Sequence, residues 1–333
     1  MFLYEKVMIY RSIITFSAFL MFGCLSDAER DNPLDTQAKN YLPAGKLFGR
    51  VTAFYRTDII LSAADISLEP EGRHTLSGTD GTFEFKNLAP GNYTLNCRRE
   101  GYRPDTVLTE IDAGSKEINF RLNALPYFEQ IDLTTHHVSR WWPAEDSYFL
   151  RIKTQVRDED GINEIDSVWF SAPSISFAET LFISNLNGIY EQTITEDQLP
   201  VSSLRQLEGK SIFLFCRDLV KNIAVSDELF LPRLIQEVPL QISPSGLETI
   251  NSFPLTFAWE QVFLPYTFTY KIEIYQVNFG FFSRIREITD ISSVQNTYEM
   301  ATALPAGDYF WLLYVVDEFG DTSSSKEAAF RVQ

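Results

Sequence analysis

Short runs of alternating apolar and polar residues, cut by turn pairs, limit what this chain can fold into. Phe83 and Phe85 alternate with Thr82 and Glu84 directly after Asp80-Gly81, and Tyr93 and Leu95 alternate with Thr94 and Asn96 after Pro90-Gly91. A period of two places the apolar side chains on one face of an extended strand. Asp-Gly supplies the positive-φ positions of a tight hairpin turn, and Pro-Gly sets a fixed φ beside a permissive residue. A glycine loop that holds phosphate would run from a strand into a helix N-terminus, and no helical pattern follows residues 78–95. These glycines punctuate strands.

The same pattern continues downstream. Leu150, Ile152 and Val156 share one face before the turn at Asp160-Gly161, after which Ile165 and Val168 resume. "KSIFLFCRDLVKNIAVSDELFL" gives a strand, a polar turn over Asp218 to Asn222, and a closing strand. Between them, "TEDQLPVSSLRQL" fits one short helix capped by Thr195. Trp259 sits in a Phe/Trp alternation, and Tyr266, Phe268, Tyr270, Ile272 and Ile274 line one face of the following run. The last two segments each end in strand, Asp turn and strand, as distant internal repeats would. The sequence therefore predicts an all-β chain of three tandem β-sandwiches, at 45–123, 124–233 and 234–333. The 27 Phe and 15 Tyr suit sheet-rich cores of this kind.

Four stretches carry a family resemblance: "GRVTAF", "AADISLEP", "TDGTFEFKNLAPGNYTL" and "GYRPDTV". Together they resemble the carboxypeptidase regulatory-like, transthyretin-related β-sandwich over residues 45–123. The resemblance implies a structural module without catalysis, because in that family the peptidase zinc and its ligands belong to a separate domain. Residues 124–233 resemble bacterial Ig-like sandwiches. Residues 234–333 resemble fibronectin type III, with Leu304, Gly307 and Tyr309 in its L-x-x-G-x-Y tyrosine-corner pattern. A buried Trp with a Tyr tied to the backbone locks the two sheets of such a fold.

At the N-terminus, Lys6 and Arg11 precede the apolar run "SIITFSAFLMFG", which stops at Cys24. The run is too short to span a bilayer and reads as a secretory signal over residues 1–23. Gly23-Cys24 resembles a bacterial lipobox, which implies that Cys24 becomes the lipidated first residue of the mature chain. Residues 25–44 are polar without a period and read as a tether after Cys24. Cys97 and Cys216 continue strand alternations, so they are expected as small buried hydrophobes rather than a disulfide.

The net charge of −17, from 28 Lys+Arg against 45 Asp+Glu, opposes binding to nucleic acid. The chain has no H-E-x-x-H, G-x-S-x-G, Walker loop or paired C-x-x-C, so neither an enzyme nor a cofactor is expected. His74 is expected at a hairpin tip. Adjacent His136 and His137 would face opposite sides of an extended chain and are read as solvated. Asp158 and Asp160 in "DEDG" offer oxygen donors suited to Ca²⁺ but lack the downstream ligands of an EF-hand, so a solvated turn is expected there. Trp141 and Trp142 either form a stacking platform for a sugar or cap a domain junction. Phe279, Phe281 and Phe282 around Gly280 belong at a hairpin tip, where they either contact a partner or fold back over the sandwich edge. The reading that results is a non-enzymatic, lipid-anchored protein of the bacterial cell envelope, on the outer membrane in a Gram-negative cell. It would act as a spacer, adhesion or assembly scaffold toward an envelope protein or glycan. The alternative is a glycan-binding accessory lipoprotein of a polysaccharide-uptake system.

Overall fold

A computed structural model describes residues 45–333 except 113 and 186, together with Gln37. The expected signal peptide and Cys24 lie outside the described residues, as does the tether apart from Gln37. The fold is all-β, with four short 3-10 segments among the described residues. The chain divides after Ala124 into two compact units.

In the first unit, strand Gly45–Ala53 pairs antiparallel with Thr82–Leu88 and parallel with both Ser115–Glu117 and Phe120–Leu122. The facing sheet orders Arg73–Leu76, Asp65–Glu69, Gly91–Arg98 and Asp105–Ile111, all antiparallel. Phe83, Phe85, Tyr93, Leu95 and Cys97 point into the core between the sheets, as the alternation requires. Both turn pairs change sheets, however, instead of closing hairpins. Asp80-Gly81 carries the chain from Arg73–Leu76 in one sheet to Thr82–Leu88 in the other, and Pro90-Gly91 carries it back. A turn pair fixes local φ and ψ, and leaves open which strand the next one joins. Gly81 has φ +76, and a Cβ there would lie 2.8 Å from Val51 O, so glycine is required on both counts. His74 is correspondingly not at a tip. It lies within the edge strand Arg73–Leu76, opposite Ser67, with Nδ1 3.3 Å from Asp65.

Residues 125–333 form the second unit and hold two hydrophobic cores. Leu150, Ile152, Val156, Phe170, Leu214 and Cys216 belong to one. Phe257, Trp259, Tyr270, Ile272, Ile274 and Trp311 belong to the other. The cores are spanned by one hydrogen-bonded sheet that runs from Ile223–Val225 at one edge to Phe281–Ser292 at the other. Its joint is a parallel pairing of Thr322–Ser324 with residues His136, His137 and Val138 of the long strand Tyr127–Val138.

The closing hairpins of the two sandwiches repeat each other bond for bond. Asn222 N–H donates to Asp218 Oδ1 at 2.7 Å, and Asp321 N–H to Asp317 Oδ1 at 2.9 Å. Leu214 N–H donates to Ser226 Oγ at 3.0 Å, and Leu313 N–H to Ser325 Oγ at 2.9 Å. The same spacing of Leu, Asp, Asn or Asp, and Ser thus builds the same turn twice. The expected single helix is instead two 3-10 segments, Glu196–Gln198 and Leu204–Leu207. Thr195 does cap the first, its N–H donating to Gln198 Oε1 at 2.8 Å. Pro200 then disfavours helical backbone at Leu199 and ends the turn. Both described cysteines are free and fully buried, and burial pushes each thiol up to about 12.

Candidate functional site

The strands Phe268–Asn278 and Phe281–Ser292 meet in a two-residue turn, Asn278 opposite Phe281, with Phe279 and Gly280 between. Phe279 has φ +51 and Gly280 φ +84. Two successive positive φ values match the twist of a hairpin, but position one normally takes Asn, Asp or Gly. A phenylalanine there is strained and fully exposed. Phe281 and Phe282 are 78% and 65% exposed, so the rings do not fold back as a group. Phe282 touches only the rim of an aromatic layer, its ring edge-on to Phe310 at 5.3 Å, with Tyr275 stacked on the same ring at 4.8 Å.

The base of this hairpin is fastened by Glu273, which is 4% exposed. Its carboxylate accepts hydrogen bonds from Lys271 at 2.8 Å, Arg284 at 2.9 Å, Tyr275 at 2.7 Å and Tyr314 at 3.0 Å. Burial opposes ionisation, yet the hydrogen bonds of Lys271 and Tyr275 prevail and bring the carboxyl to about 2. Three strands are thereby tied together beneath the exposed rings.

Trp141 and Trp142 lie elsewhere, in the loop between Tyr127–Val138 and Ser147–Arg157. Trp141 meets the second sandwich of this unit: its Nε1–H donates to Glu327 O at 2.9 Å and Lys326 Nζ sits 4.6 Å from its ring. Trp142 is 87% exposed. Beside the loop opens a cleft of about 690 Å³, walled by Arg140, Glu145, Asp146 and Tyr148 on one side and by Glu196 and Asp197 on the other. The phenylalanine hairpin and the tryptophan loop are carried by different elements.

The adjacent histidines are not solvated. His136 is half-buried with Nδ1 2.8 Å from Thr322 Oγ1, and burial lowers it to about 4. His137 is 1% exposed, its ring nitrogens 3.1 Å from Asp146 and 3.2 Å from Ser323. They do face opposite sides of the strand, as alternation demands. Around them Thr135 N–H donates to Asp321 Oδ1 at 2.6 Å, and Arg233 pairs with Asp317 and Glu318 while stacking on Tyr266. Nor is the Asp158 turn solvated. Asp160 is 4% exposed, and burial together with the charges of Asp160, Asp218 and Glu164 pushes the Asp158 carboxyl up to about 7. Among the described residues, no group of three or more His, Cys, Asp or Glu is arranged to hold a metal ion.

Residues 46–123 match the carboxypeptidase regulatory-like domain. No curated protein matches the chain in sequence. Among solved structures, the chain is similar to BcpA, the major pilin subunit of Bacillus cereus, at 12% identity over 84% of this chain and 92% of that one, with a TM-score of 0.31. It is similar to the FN1-FN3 domains of chicken CNTN1 at 12% identity over 81% and 90%, with a TM-score of 0.33. Likenesses this loose assign nothing to the chain.

The matched segment, residues 46–123, contributes none of the candidate contact residues. Its L-x-P-G-x-Y motif is structural: Tyr93 OH donates to Ala89 O at 2.8 Å, four residues back. Tyr309 OH does the same to Pro305 O at 2.8 Å in the last sandwich. Sequence reasoning passed over Tyr148, Asp146, Glu196 and Asp197, because the cleft joins two segments whose local patterns say only strand and turn. The loop pair Glu145-Asp146 beside Trp142 was the one signal available.

Proposed function

We propose that the chain is an exported, lipid-anchored, non-enzymatic adhesion scaffold of the bacterial cell envelope, whose contact surface is the hairpin tip Phe279 to Phe282. The observation that carries this reading is Phe279 itself: a strained, fully exposed ring at a turn position where Asn or Gly would be relaxed. A cluster of exposed rings on a hairpin braced from below by Glu273 is suited to insert into a partner pocket without reordering first. Anchoring through Cys24 would hold the tip at the cell surface.

Two variants test it in a pull-down from native membranes. Phe281→Ser with Phe282→Ser should remove the co-purifying partner while shifting the melting temperature by less than about 2 °C, since the rings are exposed. Cys24→Ser should release the otherwise intact chain from membranes. An unchanged set of co-purifying proteins in the double variant defeats the contact reading, and a salt-resistant membrane-bound Cys24→Ser defeats the anchor. A second reading, glycan binding, is favoured by a different feature, the 87% exposed ring of Trp142.

A further inference from the structure

We infer that the outer face of the first unit's sheet, around Arg50 and Arg121, is a binding site for a carboxylate-bearing saccharide. It depends on neither the phenylalanine tip nor Trp142, both of which lie outside this unit. Strand Gly45–Ala53 buries Leu47, Val51 and Ala53 and turns Phe48, Arg50 and Thr52 to the other side. Pairing sets Thr82 opposite Arg50, Glu117 beside Phe48 and Arg121 beside Thr52. With Asn119 and with Thr57 of the following loop, these residues line a cleft of about 420 Å³, within the size range of small-ligand sites. Gly49 lets the neighbouring segment close in, since a Cβ there would lie 1.6 Å from Ile118 O. That approach fixes Asn119: its Oδ1 accepts Arg50 N–H at 2.8 Å, and its Nδ2 donates to Glu117 at 2.9 Å.

Two guanidinium groups are left over. Lys46 and Lys86 on this face share Glu84, and Arg56 pairs with Asp58, whereas among the described residues no ion pair engages Arg50 or Arg121. Residues 45–124 carry 10 Lys+Arg against 11 Asp+Glu, so nearly all of the net charge of −17 belongs to the rest of the chain, and an anion meets little repulsion from this unit. A guanidinium fork matches a carboxylate. The hydroxyls of Thr52, Thr57 and Thr82, the Asn119 amide and the Glu117 carboxylate then supply donors and acceptors for a ring of hydroxyls, each of which both donates and accepts. A bare phosphate would leave most of these groups unused. It would also lack the free backbone N–H groups of a helix N-terminus or nest, because strand Gly45–Ala53 is bonded on both sides. The same pairing removes the open strand edge by which an extended peptide would add to the sheet.

The test titrates the full chain by calorimetry with hexamers of galacturonate, mannuronate and hyaluronan, with the methyl ester of each, and with sodium sulfate. At least one acidic hexamer should bind, and its neutral ester and sulfate should each bind at least about tenfold more weakly. Arg50→Gln and Arg121→Gln should each weaken the sugar about tenfold or more, the loss of one charge-assisted pair, with the melting temperature unchanged because both side chains are exposed. Arg98→Gln, equally exposed on the facing sheet, should bind as wild type. Trp142→Ala and the Phe281→Ser, Phe282→Ser variant should also bind normally, so failure here is distinct from failure at those surfaces. Silence with all three acidic hexamers, an ester or sulfate that binds as tightly as the acid, or affinity that survives both arginine changes would each overturn the proposal.

Discussion

A single carboxyl group, that of Asp158, sets the clearest pH dependence of the molecule. Its pKa is raised from the ordinary 3.8 to about 7 by burial and by the neighbouring Asp160, Asp218 and Glu164 charges. Between about pH 4 and 7 the folded chain therefore holds a proton that the unfolded chain has released, and stability falls as pH rises through that window. Asp321, raised to about 6 chiefly by burial, adds in the same direction. His136, lowered to about 4 chiefly by burial, opposes this up to about pH 6.5, so thermal melts of the wild-type chain should move to lower temperature most clearly between pH 6.5 and pH 7.5. Asp158→Asn should flatten that slope and melt higher than wild type at pH 7.5. A slope unchanged in the variant would assign the pH dependence to other groups. The sequence showed Asp158 and Asp160 as an acidic turn and could not show their burial, because Asp218, which crowds them, comes from a strand far along the chain.

At the level of elements, alternation revealed the strands and which side chains they bury. Tyr93, Leu95 and Cys97 are at most 5% exposed, and Phe268, Tyr270, Ile272 and Ile274 at most 7%. Alternation could not say how strands pair, since an Asp-Gly pair can close a hairpin or, as at Asp80-Gly81 with only the glycine at positive φ, carry the chain to the other sheet. The L-x-x-G-x-Y motif was more informative, because in both copies the hydroxyl of its tyrosine reaches the carbonyl four residues back. Tyr93→Phe and Tyr309→Phe each remove such a bond and leave a carbonyl to be satisfied elsewhere. Each should cost about 1 kcal/mol, read by denaturant unfolding, with the first change confined to the transition of residues 45–124 and the second to that of residues 125–333. A loss spread over both transitions would contradict the independence of the two units.

For the whole molecule, two compact units imply two cooperative transitions and not three. The two sandwiches after Leu125 share a sheet and a junction of Thr135, His136, His137, Arg233, Asp317 and Asp321, so calorimetry should show them melting together. Residues 45–123 expressed alone should fold with a cooperative melt of their own; three separate transitions in the full chain would show the shared sheet to be energetically negligible. The junction was the part least legible in the sequence. The bonds that cross it join residues from 84 positions apart, Arg233 and Asp317, to 187 apart, His137 and Ser324, and nothing local marks them as partners.

The shared sheet also bears on tension. Strand Phe268–Asn278, which ends at the phenylalanine tip, runs antiparallel to Gly307–Asp317; that strand runs antiparallel to Thr322–Ser324, which is parallel to Tyr127–Val138. The tip is therefore at the end of the sheet opposite the point where the chain enters at Leu125. With the tip bound and the chain anchored as proposed, a pull between them would run broadly along the strands, across their hydrogen bonds, and load the bonds of the joint in shear. Bonds loaded in shear share the force and fail together, whereas bonds peeled apart fail one by one. The pairing that makes two cores into one body is thus also oriented to keep them together under drag.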